Sequence, residues 1–247
     1  MKNKSKVIVI MPAYNAERTL ERTYSEIPKE YVDEIILVDD ASRDNTVEIA
    51  KKLGLHVIIH SENRGYGGNQ KTCYGNALKR GADIVVMVHP DYQYDPAALP
   101  EMVNIIDSKK ADIVFGSRML YRHDALNGGM PLYKFFSNIF LTKMENLVFR
   151  LNLSEYHTGL RAYSREVLES INFLSCSDNF VFDTQIVALA VKSGFRIAEV
   201  PIKTRYHNDS SSISFLDSVE YGLSTLKVLW HFKMGKGIYE NHKNRKS

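Results

Sequence analysis

Cysteine is scarce in this 247-residue chain: it has only Cys73 and Cys176, together with one tryptophan, Trp230. Two cysteines cannot build a disulfide framework, and they read as packed thiols in a reducing compartment. Long apolar runs are missing as well. Nothing approaches the roughly 18 uninterrupted apolar residues of a membrane-crossing helix. The opening MKNKSKVIVIMPAYN starts basic, but Pro12 cuts its apolar run too short for a secretory signal. The chain is therefore expected to be cytoplasmic, soluble or resting on a surface. Net charge is small: 32 Lys and Arg against 29 Asp and Glu give +3, too little in total to argue for nucleic acid. Basic charge gathers only after Trp230, where Lys233, Lys236, Lys243, Arg245 and Lys246 face the single acid Glu240. The rest is ordinary globular composition, 44% hydrophobic and 25% charged, which excludes a largely disordered or fibrous chain.

Short apolar, β-branched runs predict strands over residues 6–11, 34–38, 55–60, 83–88 and 112–115. Helix-like segments separate them, over 17–27, from a Ser42 or Asp44 cap to about 53, over 69–80, and over 96–108. Such alternation means βαβ units on a mostly parallel sheet with helices on both faces. In these sheets ligands bind beyond the C-terminal strand ends. The polar clusters Tyr14-Asn15, Asp39-Asp40, Asn63-Arg64-Gly65 and His89-Pro90-Asp91 all lie there, which points to a nucleotide-sized ligand. Beyond residue 117 the alternation fades into a helix over 133–149, a loop at 157–159, a helix over 182–192, an extended 196–206 and a helix over 215–232. With no repeat and no linker, one domain is expected. Residues 1–117 form its nucleotide half, 118–213 its acceptor-side half, and 214–247 an amphipathic helix with a basic tail.

If the chain stays extended after the fourth strand, His89, Asp91 and Gln93 project to one side. Carboxylate, imidazole and amide oxygen suit Mg²⁺ or Mn²⁺ whose charge is met mainly by substrate phosphates; a polar loop with Asp91 as helix cap is the plain alternative. The glycine-rich Asn63–Gly68 stretch precedes a helix, so its amides can approach phosphate, but it matches neither the dinucleotide nor the P-loop pattern and, taken alone, reads more readily as a plain turn. Arg118, directly off the fifth strand, can fork onto a phosphate or pair with a rim acid. Asp183 is either a general base or a capping acid. His207 reads as a solvated loop histidine.

The ordered set of motifs resembles the family 2 glycosyltransferases of GT-A fold, in their dolichol- and polyprenyl-phosphate mannose/glucose synthase-like branch. The matching residues are Pro12-Ala13-Tyr14-Asn15, Val38 through Thr46, Asn63-x-Gly65-x-Gly67, Asp91-Tyr92-Gln93, Ala111 through Arg118, Thr158-Gly159-Leu160-Arg161 and Glu199-Val200-Pro201-Ile202. The resemblance implies a nucleoside diphosphate sugar donor and a divalent metal. By position, Pro12, Tyr14, Glu17, Val38, Asp40, Asn63, Gly65 and Arg205 fall on the donor, with Asp40 accepting from a ring N–H. Asp91, His89 and Gln93 fall on the metal, Asp91, Arg118 and Asp183 on catalysis, and Arg118, Lys134 and Asn138 on an acceptor phosphate. The sequence departs from the family at Ala16, where Glu is usual. It has His89 for the first acid of the metal motif and Gln185 for a late acid. Ser210-Ser211-Ser212 stands where a lysine often occurs.

An inverting hexosyl transfer follows as the leading expectation. A polyprenyl phosphate is already largely ionised at neutral pH and needs no base, whereas a saccharide hydroxyl needs one, with Asp183 the candidate. The lack of a second acid favours the phosphate. Transfer to a saccharide in cell-surface polysaccharide synthesis and non-catalytic nucleotide-sugar binding are the alternatives; the missing glycine fingerprint argues against a dehydrogenase. The stripe Phe215, Val219, Leu223, Leu226 and Trp230, followed by the basic tail, either packs on the sheet or rests on an anionic membrane surface.

Overall fold

The structure is a computed structural model that describes residues 5–203, 205 and 215–238. Seven strands form one sheet: β1 Val7–Ala13, β2 Glu34–Asp39, β3 His56–Ile59, β4 Ile84–Val88, β5 Ile113–Ser117, β6 Leu160–Ser164 and β7 Ile197–Pro201. Their order is β3-β2-β1-β4-β6-β5-β7, and all neighbours are parallel except β6, which runs antiparallel to both β4 and β5. The mostly parallel α/β sheet expected from the alternation is thus present.

Residues of β1, β4 and β5 are buried throughout, as continuous apolar runs require when helices cover both faces. Period-two alternation sorts them. Val7, Val9 and Met11 pack with Leu20 of α1 (Leu20–Glu26), Ala50 of α2 (Thr46–Lys52) and Met102 of α4 (Leu99–Asp107). Ile8 and Ile10 face the other core, with Tyr74 of α3 (Tyr66–Lys79) and Ile186 of α8 (Phe182–Lys192). Three further helices build the side beyond β5: α5 Arg122–Asn127, α6 Leu132–Phe149 and α9 Phe215–Lys233; the short α7 Arg165–Ser170 follows β6.

The structure differs from the sequence reading in several places, among them the short helices α5 and α7, which were not anticipated. β6 was not anticipated, because LRAYS is short and carries a charged residue at its second position. The expected extension over 196–206 yields a strand only to Pro201. Helix α3 begins at Tyr66, three residues early, which takes Gly67 and Gly68 into its first turn. His207, Ser210-Ser211-Ser212, Lys243, Arg245 and Lys246 lie outside the described residues.

Candidate active site

The polar clusters converge where the C-terminal ends of β1, β2, β4 and β5 meet. At the β1–β2 end two turns interlock. Asn15 Oδ1 accepts from the Arg43 amide at 2.9 Å, the Asn15 amide donates to Ser42 Oγ at 2.8 Å, and Glu17 Oε2 accepts from the Asn45 amide and side chain at 3.1 and 3.0 Å. Glu17 therefore braces this corner. Tyr14 is half exposed above it, while Pro12 is buried. The Val38 side chain, at a position expected against the base, has no exposed surface and belongs to the core, and its carbonyl accepts from Asn69 Nδ2 at 3.0 Å.

Asp40 is turned inward. Its Oδ1 accepts from His60 Nδ1 at 2.7 Å and from the Arg64 amide at 2.9 Å, and its Oδ2 accepts from the Gly65 amide at 3.1 Å. His60 also meets Thr72 Oγ1 at 2.9 Å. Sequence reasoning missed this histidine, which ends a strand and carries no motif. The Asn63 amide group reaches the Asp40 carbonyl at 3.4 Å while its residue remains exposed. The glycines here serve packing. Gly65 sits at φ +82°, the Gly67 amide donates to the Asp178 carbonyl at 2.7 Å, and a Cβ on Gly67 would stand 2.3 Å from the Ser177 carbonyl. Those amides meet protein oxygens, not an open phosphate cradle.

Beyond β4, Asp91 is partly exposed and its Oδ1 accepts from the Gln93 amide at 3.0 Å; Gln93 itself is buried. The His89 ring stacks parallel to Tyr66 at 5.4 Å between centroids, and its Nε2 lies 3.2 Å from the Tyr66 hydroxyl. Burial pushes the His89 imidazole down to about 4, against the opposing pull of Asp183, so the ring is neutral near pH 7. Gly159 permits this packing, since a Cβ there would fall 2.6 Å from Tyr94 and 2.7 Å from His89. Arg205 closes the other side. Its amide donates to the Gln93 carbonyl at 3.1 Å, its guanidinium lies 4.8 Å over the Tyr92 ring, and it grips both Glu26 oxygens at 2.8 and 2.7 Å. Burial opposes the Glu26 charge, but the hydrogen bonds from Tyr92 and Arg205 outweigh it and hold that carboxyl below its usual range.

A divalent metal must find its ligands among these groups. Among the described residues no cluster of three His, Cys, Asp or Glu side chains can hold one. One accessible carboxylate, Asp91, beside a neutral imidazole fits the looser arrangement in which substrate phosphates supply most ligands. The described residues alone offer no closed metal cage.

Asp183, at the start of α8, is almost fully buried and thoroughly engaged. Its Oδ2 accepts from Arg161 Nη2 and Tyr66 Oη, both at 2.9 Å, and its Oδ1 from Gln70 Nε2 at 3.1 Å. Arg161 has no exposed surface. It also donates to the carbonyls of Thr158 at 2.7 Å and Tyr156 at 2.8 Å and lies 5.1 Å over the Phe115 ring. Three donors, one of them the salt-bridged Arg161, make Asp183 a brace between α3, β6 and α8. They leave a poor geometry for accepting a substrate proton.

Arg118 leaves β5 and meets a partner the sequence did not single out. Glu155, fully buried, accepts from the Arg118 amide and Nε at 2.8 Å each and from its Nη2; that Nη2 also donates to the His157 carbonyl at 2.6 Å. Asn138 Nδ2 on α6 donates to the same carboxylate at 2.8 Å. Lys134, one turn earlier on α6, is partly buried, and burial followed by the Arg118 charge pushes its ammonium pKa down. Lys134 beside the Arg118–Glu155 pair leaves net positive charge in a partly desolvated setting, which favours an anion there.

The Glycosyl transferase family 2 model matches residues 8–171. The UDP-N-acetylglucosamine--dolichyl-phosphate N-acetylglucosaminyltransferase of Methanococcus voltae is 29% identical over 247 residues, covering 93% of this chain and 97% of its own. The polyprenol monophosphomannose synthase of Mycolicibacterium smegmatis is 28% identical over 80% of this chain and 76% of its own. Among solved structures, glucosyl-3-phosphoglycerate synthase from Mycobacterium tuberculosis in complex with Mn²⁺ and UDP-glucose matches with a TM-score of 0.68. That likeness spans 96% of this chain and 81% of the other at 19% identity, and it shows a shared GT-A fold.

Proposed function

The chain belongs to glycosyl transferase family 2 and is a glycosyltransferase, and on that premise we propose that it moves a hexose from a nucleoside diphosphate sugar to a polyprenyl phosphate. The observation that carries the acceptor is the state of Asp183. The acid available as a general base is tied to Arg161, Tyr66 and Gln70. A phosphomonoester has its second pKa near 6 and attacks as an anion without help, so a site whose candidate base among the described residues is already engaged suits it and suits a sugar hydroxyl poorly. The names of the archaeal and mycobacterial relatives, one a dolichyl-phosphate and one a polyprenol-phosphate enzyme, support the same class.

The donor lies over the ends of β1 and β2 in this reading, with Tyr14 and Asn63 as its exposed contacts. Glu17, Asp40, Gly65 and His60 keep the turns in place beneath it. Mg²⁺ or Mn²⁺ would be held by Asp91 together with the donor diphosphate, with His89, Gln93 and Arg205 shaping that loop. When bound, the metal neutralises charge on the leaving diphosphate. Arg118 and Lys134 hold the acceptor phosphate, and Asn138 steadies Glu155 behind Arg118. A phosphate oxygen then attacks the anomeric carbon as the bond to the diphosphate breaks, with inversion. The single-domain organisation, with a donor half to residue 117 and an acceptor half beyond it, belongs to the same proposal.

Incubating the protein with radiolabelled UDP- and GDP-hexoses, polyprenyl phosphate and Mn²⁺ or Mg²⁺ tests the reading. Label should pass into the organic phase for at least one donor, and Asp91→Asn should lower that transfer at least about a hundredfold while leaving the unfolding midpoint unchanged. Absence of lipid-linked label with every donor and metal would reject it.

A further inference from the structure

Helix α6 wears its polarity inside out. Its inward face carries Asn138, Thr142 and Glu145 beside Phe135 and Phe149, all buried. Its outward face carries Leu132, Tyr133, Phe136, Phe140 and Leu147, between 44% and 73% exposed. At 100° per residue these five fall on one side of the helix, and the charged residue among them is Lys143, also exposed. A surface helix of a water-soluble protein normally shows the reverse pattern. A contiguous exposed apolar stripe of this kind marks an interaction site.

Charge identifies the occupant. The one acid of α6, Glu145, has no exposed surface. Exposed Arg122 on the adjoining α5, Lys143 within the stripe and Arg150 at the end of α6 are basic, and α5 carries one acid, Asp124. Exposed Leu120, Tyr121 and Leu126 extend the apolar surface around α5, which the small cluster of Met119, Ala125, Met130 and Phe135 fastens to α6. Apolar side chains flanked by these cations, on a helix with no exposed acid of its own, match an anionic bilayer, where aromatic and aliphatic groups enter the headgroup layer and cations pair with lipid phosphates. No described helix is long and apolar enough to cross a membrane, so contact of this kind stays at the surface.

We infer that the outward face of α6, with α5 beside it, docks the protein on an anionic lipid bilayer. The inference deepens the lipid-phosphate reading and rests on it for one feature: Lys134 and Asn138, on the same helix, stand beside Arg118. A docked α6 thus sets its apolar face in the bilayer and its polar face at the acceptor phosphate, shortening the path of a lipid-borne headgroup to the site.

Co-sedimentation of the full chain with vesicles of phosphatidylcholine alone, or containing phosphatidylglycerol, tests docking without donor or polyprenyl phosphate, so it stands or falls apart from transfer. The chain should bind the anionic vesicles and not the neutral ones, more weakly as salt rises. The double variant Phe136→Gln/Phe140→Gln should lose at least about tenfold in partition, since two half-exposed rings give up their apolar burial. Lys143→Glu, which leaves the packing untouched, should weaken binding by about tenfold through charge alone. Circular dichroism confirms that both variants fold. No vesicle binding at low salt, or equal binding by wild type and both variants, overturns the inference. So does a dimer in light scattering that the same substitutions abolish while vesicle binding is unaffected, which would assign the face to a second copy of the chain.

Discussion

Asp183 and Arg118 show how a residue's type can be right while its partner decides its role. Each is a plausible reacting or binding group by motif, and each is half of a buried ion pair, with Arg161 and Glu155 respectively. Removing one half of such a pair strands the other charge away from water. Asp183→Asn should therefore destabilise the protein by about 3–5 kcal/mol, because Arg161 keeps its charge without an anion. Urea unfolding followed by circular dichroism measures this; a loss under about 1 kcal/mol would mean that Arg161 finds other compensation. Lys134 is the contrasting case, partly exposed and with no buried acid among its described neighbours to strand. Lys134→Ala should raise the KM for the lipid phosphate by roughly 10- to 100-fold, the worth of a charged hydrogen bond, with donor KM and unfolding midpoint unchanged. Steady-state kinetics with each substrate varied in turn would expose a wider role if both constants moved.

The elements were legible in the sequence where apolar runs were long. The strands from β1 to β5 and the helices α8 and α9 lie where β-branched runs and helical spacing put them. β6 was not legible. Its five residues include Arg161, whose burial between β4 and β5 is stabilised by Asp183, 22 positions later, and no local pattern announces that pairing. His60 and Glu155 escaped for the same reason: each is chosen by a partner far along the chain, Asp40 or Arg118. The glycine-rich turn was read for phosphate but is shaped by the approach of the 177–179 backbone, a contact visible only after folding. Gly159 makes the point testable. Gly159→Ala must displace Tyr94 or the His89 ring, at an expected cost of about 1–3 kcal/mol and with a fall in transfer. Chemical denaturation and activity assays on the same preparation check it, and an unperturbed variant would show that the loop has room the geometry denies.

At the scale of the molecule, the proposed function gives the two sides of the sheet different tasks. The C-terminal ends of β1 and β2 offer interlocked turns and a half-exposed tyrosine, while the region beyond β5 offers Lys134 beside the Arg118–Glu155 pair and a helix with an apolar outer face. The small net charge of +3 hides this division, since the cations matter by position and not by number. The central claim is that the acceptor is a lipid phosphate that reacts without a protein base. Comparing kcat/KM for a polyprenyl phosphate with that for the same polyprenol lacking its phosphate, at one donor and metal concentration, tests it most directly. The account predicts at least about a thousandfold preference for the phosphate, reflecting both the pre-ionised nucleophile and the Arg118–Lys134 contacts. Equal use of the free alcohol, or faster transfer to a saccharide hydroxyl, would contradict it.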